Sequence, residues 1–213
     1  MNLLFLWYTN FMKTKIVDRK EIELVVDTLN NGGVVSFPTD TVYGIGVVYD
    51  NLDALNRLKL SKGRPDSKPI PMMIGSVSQI DDVAFTNEKV VRLTSTFMPG
   101  GFTIVLNKKE NVSDEITNGF KTIALRMPDD EFICEVIKRL GKPMLVTSAN
   151  LSGMPTGVYF EDVKNDFDGR IDMIVKGECK GSVSSTIVDA TSDELKVLRE
   201  GILDVNEIMK VWG

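Results

Sequence analysis

Histidine is absent from the 213 residues. That excludes Ser-His-Asp and Cys-His catalysis and every metal site built on imidazole. Cysteine is almost as scarce. Cys134 and Cys179 stand far apart, too few for a disulfide framework and without the paired spacing of a zinc site. Their apolar neighbours mark both as reduced core residues. A long hydrophobic run is also missing at the N-terminus, where Leu3 to Tyr8 falls far short of the roughly 20 apolar residues that span a bilayer. Lys13 and Lys15 follow that stretch instead of preceding it, the reverse of a secretory signal. The expectation is an N-terminal extension over residues 1–12, with Met12 as an alternative start, one domain over 13–213, a cytoplasmic location and no membrane partner. Neither the Gly-x-x-x-x-Gly-Lys-Ser/Thr loop nor Gly-x-Gly-x-x-Gly occurs, so the two standard phosphate-binding turns do not apply. Nor is there an excess of positive charge. A net charge of −5 argues against a protein that coats nucleic acid by neutralising its phosphates.

What is present is an ordinary globular composition, 43% apolar and 26% charged, on a chain long enough to bury a substantial core. Asp18 and Glu21 have the spacing of a capping box, and Ile22, Val25, Val26 and Leu29 then recur at helical spacing up to Asn31-Gly32-Gly33. Two apolar runs, Val34–Phe37 and Val42–Tyr49, read as strands joined by a Pro-Thr-Asp-Thr turn. Helices are expected over 53–60, 87–97, 129–140 and 206–211. Further strands are expected over 102–106, 121–126, 144–147, 172–176, 186–190 and 195–199. Ile70–Ile74 can be a strand that Pro71 confines to an edge or a bulge. Helices and strands alternate without a strict period, which predicts a single α/β domain on a twisted, mixed parallel and antiparallel sheet with flanking helices.

Three signatures carry the chemistry. They are Pro38-Thr39-Asp40-Thr41-Val42-Tyr43-Gly44, then Lys62-Gly63-Arg64-Pro65 with Lys68-Pro69, and Thr147-Ser148-Ala149-Asn150-Leu151-Ser152-Gly153. Lys62, Arg64 and Lys68 set three cations on a loop stiffened by prolines. Alone this reads as a solvated basic loop; on an acidic protein beside hydroxyl-rich turns it reads as a pocket for a small anion. Each hydroxyl also has a plainer use. Thr39 and Thr41 can cap a turn, Asn150 can fix a left-handed loop, and Ser185 can be a strand hydroxyl. Arg126 and Arg199 can form surface salt bridges.

Those signatures, together with Ala124-Leu125-Arg126, Ser184-Ser185-Thr186-Ile187-Val188-Asp189 and Leu198-Arg199-Glu200-Gly201, resemble in order and spacing the YrdC-like threonylcarbamoyl-AMP synthase family, from about Gly32 to Gly201. The resemblance implies synthesis of threonylcarbamoyl-AMP and pyrophosphate from L-threonine, bicarbonate and ATP, with Mg²⁺ carried by the nucleotide and no metal held by protein side chains. The product would serve threonylcarbamoyl modification of tRNA, which implies a downstream tRNA threonylcarbamoyl transferase as partner and allows a tRNA contact. Longer members carry an extra C-terminal domain that this sequence is too short to hold.

Carried over by position, the resemblance makes Lys62 and Arg64 catalytic, with Arg64 and Lys68 on the ATP phosphates. Arg199 adds a nucleotide contact. Ser148, Asn150 and Thr156 line the nucleotide side, and Thr122 faces it from the strand of Arg126. Thr41, Arg126 and Ser185 hold threonine. Many members have a histidine shortly after the Lys-Pro pair, where this chain reads Pro71-Met72-Met73-Ile74, so recognition of the threonine side chain near Met73 is left open. Two other readings are a non-catalytic RNA-binding module and a related carbamoyl-adenylate-forming enzyme.

Overall fold

The structure is a computed structural model that describes residues 13–64 and 68–213. The extension expected over 1–12, its alternative start Met12, and Pro65 lie outside the described residues.

In chain order the elements are β1 (Lys15–Val17), α1 (Ile22–Asn30), β2 (Val35–Phe37), β3 (Gly44–Val48), α2 (Leu52–Lys62) and β4 (Met72–Met73). A 3-10 turn (Val77–Gln79) then leads into α3 (Ile80–Val83), followed by α4 (Glu88–Phe97), β5 (Phe102–Asn107), β6 (Thr122–Arg126) and α5 (Glu131–Leu140). Last come β7 (Met144–Ser148), α6 (Phe160–Phe167), β8 (Met173–Val175), β9 (Thr186–Asp189), β10 (Lys196–Arg199) and α7 (Val205–Trp212). Among the described residues the strands form one sheet in the order β1-β8-β2-β3-β7-β4-β6-β5-β9-β10. The pairs β1–β8, β2–β8, β4–β6 and β5–β9 are parallel, and the remainder antiparallel. The expected mixed α/β sheet is what forms.

Alternation along the strands sorts side chains into two layers. Ile45 and Val47 of β3, Leu145 of β7, Phe102 and Ile104 of β5 and Ile123 and Leu125 of β6 enter one core with Leu55 and Leu58 of α2, Leu93 of α4 and Ile208 and Trp212 of α7. Val35 and Phe37 of β2, Met144 and Val146 of β7 and Met173 and Val175 of β8 enter a second core with Val25 and Leu29 of α1 and Ile133, Val136 and Ile137 of α5. The second face is apolar near β2 and β8. Across β5 and β6 it carries Thr103 and Arg126 instead. That switch from apolar to polar on one face creates the cleft described below.

Several local expectations change. β4 is an interior strand, paired with β6 on one side and β7 on the other. It is only two residues long, and Pro71 lies just outside it, where its carbonyl accepts the Val146 N–H at 2.9 Å and its missing N–H costs the ladder nothing. The capping box at Asp18 forms by half: the Glu21 carboxylate accepts the Asp18 N–H at 2.9 Å, but Glu21 itself is the helix N-cap and its side chain caps nothing. β1, α3 and α6 were not expected. α6 has Phe160, Val163 and Phe167 at helical spacing, but its N-cap Tyr159 gives no capping signal. Both cysteines are half-buried and unpaired, with Cys179 packed against the first core. Burial pushes the Cys134 thiol up to about 11, so it stays protonated and unreactive. Among the described residues no helix is long and apolar enough to cross a membrane.

α2 runs to Lys62, two residues past the expected end at Leu60, and is closed by Gly63 in the left-handed conformation (φ 60°). The extra residues matter. They place Lys62 on the stripe already occupied by Leu55 and Leu58, the buried side of the helix.

Candidate active site

A cleft of about 280 Å³ opens on the second face of the sheet, lined from β3 across to β10. Its floor is backbone and small side chains. Gly44 lies where a Cβ would come 3.0 Å from Val146 Cγ1 and 3.1 Å from Phe37 Cε2. Its walls carry three arginines, Arg64, Arg126 and Arg199, with the hydroxyls of Thr39, Thr41, Thr103, Thr147, Ser148, Ser184 and Ser185. Among the described residues lining it there is no carboxylate. Three fixed positive charges and neutral donors on a wall without carboxylates make this a site for anions.

Arg64, just after α2, arches over the cleft. Its Nη2 donates to the Pro69 carbonyl at 2.8 Å, its Nε to that of Lys68 at 3.2 Å and its Nη1 to Thr147 Oγ1 at 3.4 Å. Arg126 ends β6 and is 9% exposed. Its Nη2 meets Asp40 Oδ1 at 2.6 Å and its Nε donates to the Gly100 carbonyl at 3.2 Å. Arg199 ends β10 and clasps Ser185, with Nη2 2.8 Å from the carbonyl and 3.2 Å from Oγ. Burial, and after it the neighbouring Arg126 charge, lowers the proton affinity of Arg199, so the two guanidiniums feel one another. Ser185 Oγ also lies 2.8 Å from Thr103 Oγ1. Thr41 is buried in the turn between β2 and β3, its hydroxyl 3.2 Å from that of Thr39.

The remaining predicted residues are placed differently. Lys62 is 2% exposed and does not line the cleft. Its Nζ lies 2.5 Å from the carbonyls of both Ser148 and Asn150, from beneath the loop that leaves β7. Burial, and secondarily Arg64, brings its pKa down to about 7. Asn150 closes that loop from within: its amide donates to the carbonyls of Leu151 and Met154 at 2.9 and 2.8 Å, and its Oδ1 accepts Ser148 Oγ at 2.6 Å. It does not take the left-handed conformation that its type allows; among the described non-glycine residues Asn118 does. Thr156 is half-buried in the same loop and, like Asn150, is not in the cleft wall. Lys68 is exposed and contributes its carbonyl to Arg64. Thr122 starts β6, four residues from Arg126 and so about 13 Å away along the strand, and does not reach the cleft.

Two participants escaped the sequence reading. Thr103 follows Phe102 on β5, and its position opposite the apolar face was the available signal. Asp40 sits inside the Pro38–Gly44 motif, but only the fold shows that it pairs with Arg126.

The model described as "Telomere recombination", for the Sua5, YciO and YrdC proteins, matches residues 27–201. The chain belongs to the Sua5/YciO/YrdC family. It is 35% identical over 210 residues to a threonylcarbamoyl-AMP synthase of Bacillus subtilis, covering 97% of this chain and 61% of that protein. A threonylcarbamoyl-AMP synthase of Vibrio parahaemolyticus is 33% identical, over 84% of this chain and 98% of its own length. Among solved structures, P. abyssi Sua5 complexed with L-threonine superposes with a TM-score of 0.88 at 36% identity, over 93% of this chain and 61% of that one. The chain thus spans about three-fifths of the longer relatives.

One family motif gains a steric explanation here. Gly201 closes Leu198-Arg199-Glu200-Gly201, and a Cβ there would lie 2.4 Å from both the Ser184 oxygen and the Ser185 carbonyl carbon. Gly201→Ala is therefore expected to force apart the two segments that Arg199 holds together. The cost is on the order of 1–3 kcal/mol, seen as a fall of several degrees in melting temperature together with weaker ligand binding.

Proposed function

We propose that this chain makes threonylcarbamoyl-AMP and pyrophosphate from L-threonine, bicarbonate and ATP. The observation that carries the reading is the cleft itself: three arginines and a ring of hydroxyls, with no histidine in the chain and no carboxylate in the described lining. Such a site suits chemistry in which the substrates supply both nucleophile and leaving group. The threonine nitrogen bonds to the bicarbonate carbon with loss of water, giving a carbamate. A carbamate oxygen then attacks the α-phosphorus of ATP, and the bond to the β-phosphate breaks as pyrophosphate leaves. The protein's task is to hold anions in line and stabilise the departing charge.

In this reading Arg64, aided by exposed Lys68, engages the phosphates, and Ser148 lines the nucleotide side. Arg126 takes the threonine carboxylate, with Thr41 and Ser185 on its other polar groups. Arg199 bridges the two subsites through its grip on Ser185. Lys62 and Asn150 act from behind by shaping the Ser148–Gly157 loop, and Thr156 belongs to that loop. Thr122 has no role at this cleft. A lining of hydroxyls without carboxylates fits Mg²⁺ arriving on the triphosphate. The product would pass to a tRNA-modifying transferase, and a protein of net charge −5 would contact tRNA itself only weakly.

Carbon from labelled bicarbonate is expected in an adenylate product only when threonine and Mg²⁺ are both supplied. Formation of ADP and phosphate in place of that product would overturn the proposal. The amino-acid side gives a sharper check. Arg126→Lys keeps the charge but loses the planar fork, so it should raise the threonine requirement well beyond that for ATP. Serine lacks one methyl, a difference worth only ~1–3 kcal/mol in a pocket, so it should be a poor but detectable substrate. Titration of threonine, serine and alanine against both proteins reads this out. A variant whose ATP requirement alone shifts would show that Arg126 belongs to the nucleotide.

A further inference from the structure

We infer that Asp40 is a specificity-determining, positioning residue: it offsets part of the charge of Arg126 and orients it, so that the middle of the cleft accepts a single carboxylate in preference to polyphosphate. This rests on the proposed function for the identity of the carboxylate, but not for the exclusion of polyphosphate.

The three cleft arginines are not held alike. Among the described residues, the hydrogen bonds of Arg64 and Arg199 run to carbonyl and hydroxyl oxygens, which leave their full charge facing the cleft. Arg126 meets a carboxylate, at 2.6 Å, and both members of the pair are buried, with side chains 11% and 7% exposed. At that distance and depth Asp40 offsets part of the charge that Arg126 presents to a ligand, although Arg199 still feels the remainder.

Direction is fixed as well as charge. The bonds to Asp40 and Gly100 engage Nη2 and Nε, two of the five guanidinium donors. The pair of nitrogens at the tip, Nη1 with the second proton of Nη2, keeps the spacing that matches one carboxylate.

Asp40 cannot easily move. In its turn the Thr41 N–H donates to Thr39 Oγ1 at 3.1 Å, and Thr39 Oγ1 donates to the Val42 carbonyl at 2.8 Å. The chain behind closes on it, with the Lys180 N–H donating to the Thr39 carbonyl at 3.2 Å. Gly181 lies so close that a Cβ there would be 3.1 Å from the Asp40 carbonyl oxygen.

An amino-acid carboxylate carries one charge and can be held by geometry alone. A triphosphate carries several and follows net potential, so it is drawn to Arg64 and Arg199 and not to the compensated Arg126. Removing the Asp40 charge would leave three uncompensated cations in one cleft and loosen the hold on Arg126, since a neutral amide accepts more weakly than a carboxylate.

The test uses the whole chain with Asp40→Asn, which keeps shape and an acceptor, and Asp40→Glu, which restores charge on a longer arm. Tripolyphosphate, which needs no threonine chemistry, and L-threonine are titrated separately by calorimetry, with melting temperatures recorded. For Asp40→Asn, threonine affinity is expected to fall roughly 10–100-fold while tripolyphosphate binds more tightly. Tripolyphosphate should also become competitive with threonine, which it is not in the wild type. Asp40→Glu should return part of the threonine affinity and lose the gain in tripolyphosphate binding. A purely structural role would lower melting temperature and weaken both ligands together, and that result overturns the inference. So does Asp40→Asn with unchanged tripolyphosphate affinity. If wild type fails to bind threonine, the functional proposal falls, while the tripolyphosphate titrations still decide the role of Asp40.

Discussion

Lys62→Met is expected to abolish turnover and to destabilise the protein by about 1–3 kcal/mol, although the residue never faces the cleft. The ammonium is the donor for the Ser148 and Asn150 carbonyls. Methionine fills the volume but takes the donor from the Asn150 carbonyl and leaves the Ser148 carbonyl with only the Asn150 N–H at 3.1 Å, at about 1–3 kcal/mol for the acceptor left unpaired. The loop they belong to carries Ser148 into the cleft wall and returns to β3 through the Gly157 carbonyl, which accepts the Tyr43 N–H at 3.2 Å. Loss of its shape should therefore appear in nucleotide binding as well as in stability.

The same residue predicts a pH signature. Its pKa falls from an ordinary 10.5 to about 7 in the fold, mainly through burial. Between those values the unfolded chain binds the extra proton and the folded chain does not. Stability from this group is thus fully present above about 10.5 and is lost as pH falls through about 7. A neutral amine still has two N–H groups, one for each carbonyl, so both contacts survive deprotonation. The gap in melting temperature between wild type and Lys62→Met should widen from pH 7 to pH 10. A gap that stays constant or narrows would show that the fold does not lower this pKa.

Arg64→Ala is expected to weaken ATP use by roughly 10–150-fold, the loss of a charge-assisted contact of about 1.5–3 kcal/mol. Its effect on threonine affinity should be small. Arg64 also holds the carbonyls of Lys68 and Pro69 and the Thr147 hydroxyl, so a modest loss of stability should accompany it. Lys68→Ala makes the control. Lys68 is exposed and lines no wall, so it should give a smaller loss of ATP use and a melting temperature within the small range usual for surface substitutions. Equal losses of stability and activity in Arg64→Ala would assign it to structure alone.

Much of this arrangement could be read from the residues. The bounds expected for β5, β6, β7, α4 and α5 lie within two residues of those that form, and the motifs brought Thr41, Arg64, Arg126, Ser148, Ser185 and Arg199 to one cleft. Where the reading failed, the information was not local. β4 is too short to show a period, and only its pairing with two strands distant in sequence places it in the interior. Thr122 shares a strand and a face with Arg126, but a strand advances about 3.3 Å per residue, so a shared face does not mean a shared site. Lys62 is the case that could have been read better. Its spacing from Leu55 and Leu58 already put it on the buried stripe of α2, but ending the helix at Leu60 left it on a loop. Asp40 shows the opposite limit, because a counter-ion is defined by what it meets, and Arg126 lies far along the chain.

The most direct test of the central claim is pyrophosphate release from ATP with bicarbonate and Mg²⁺, run with and without L-threonine. Release that depends on threonine, with AMP retained in the adenylate product, is the predicted result. Equal release in both arms, or none in either, would contradict it.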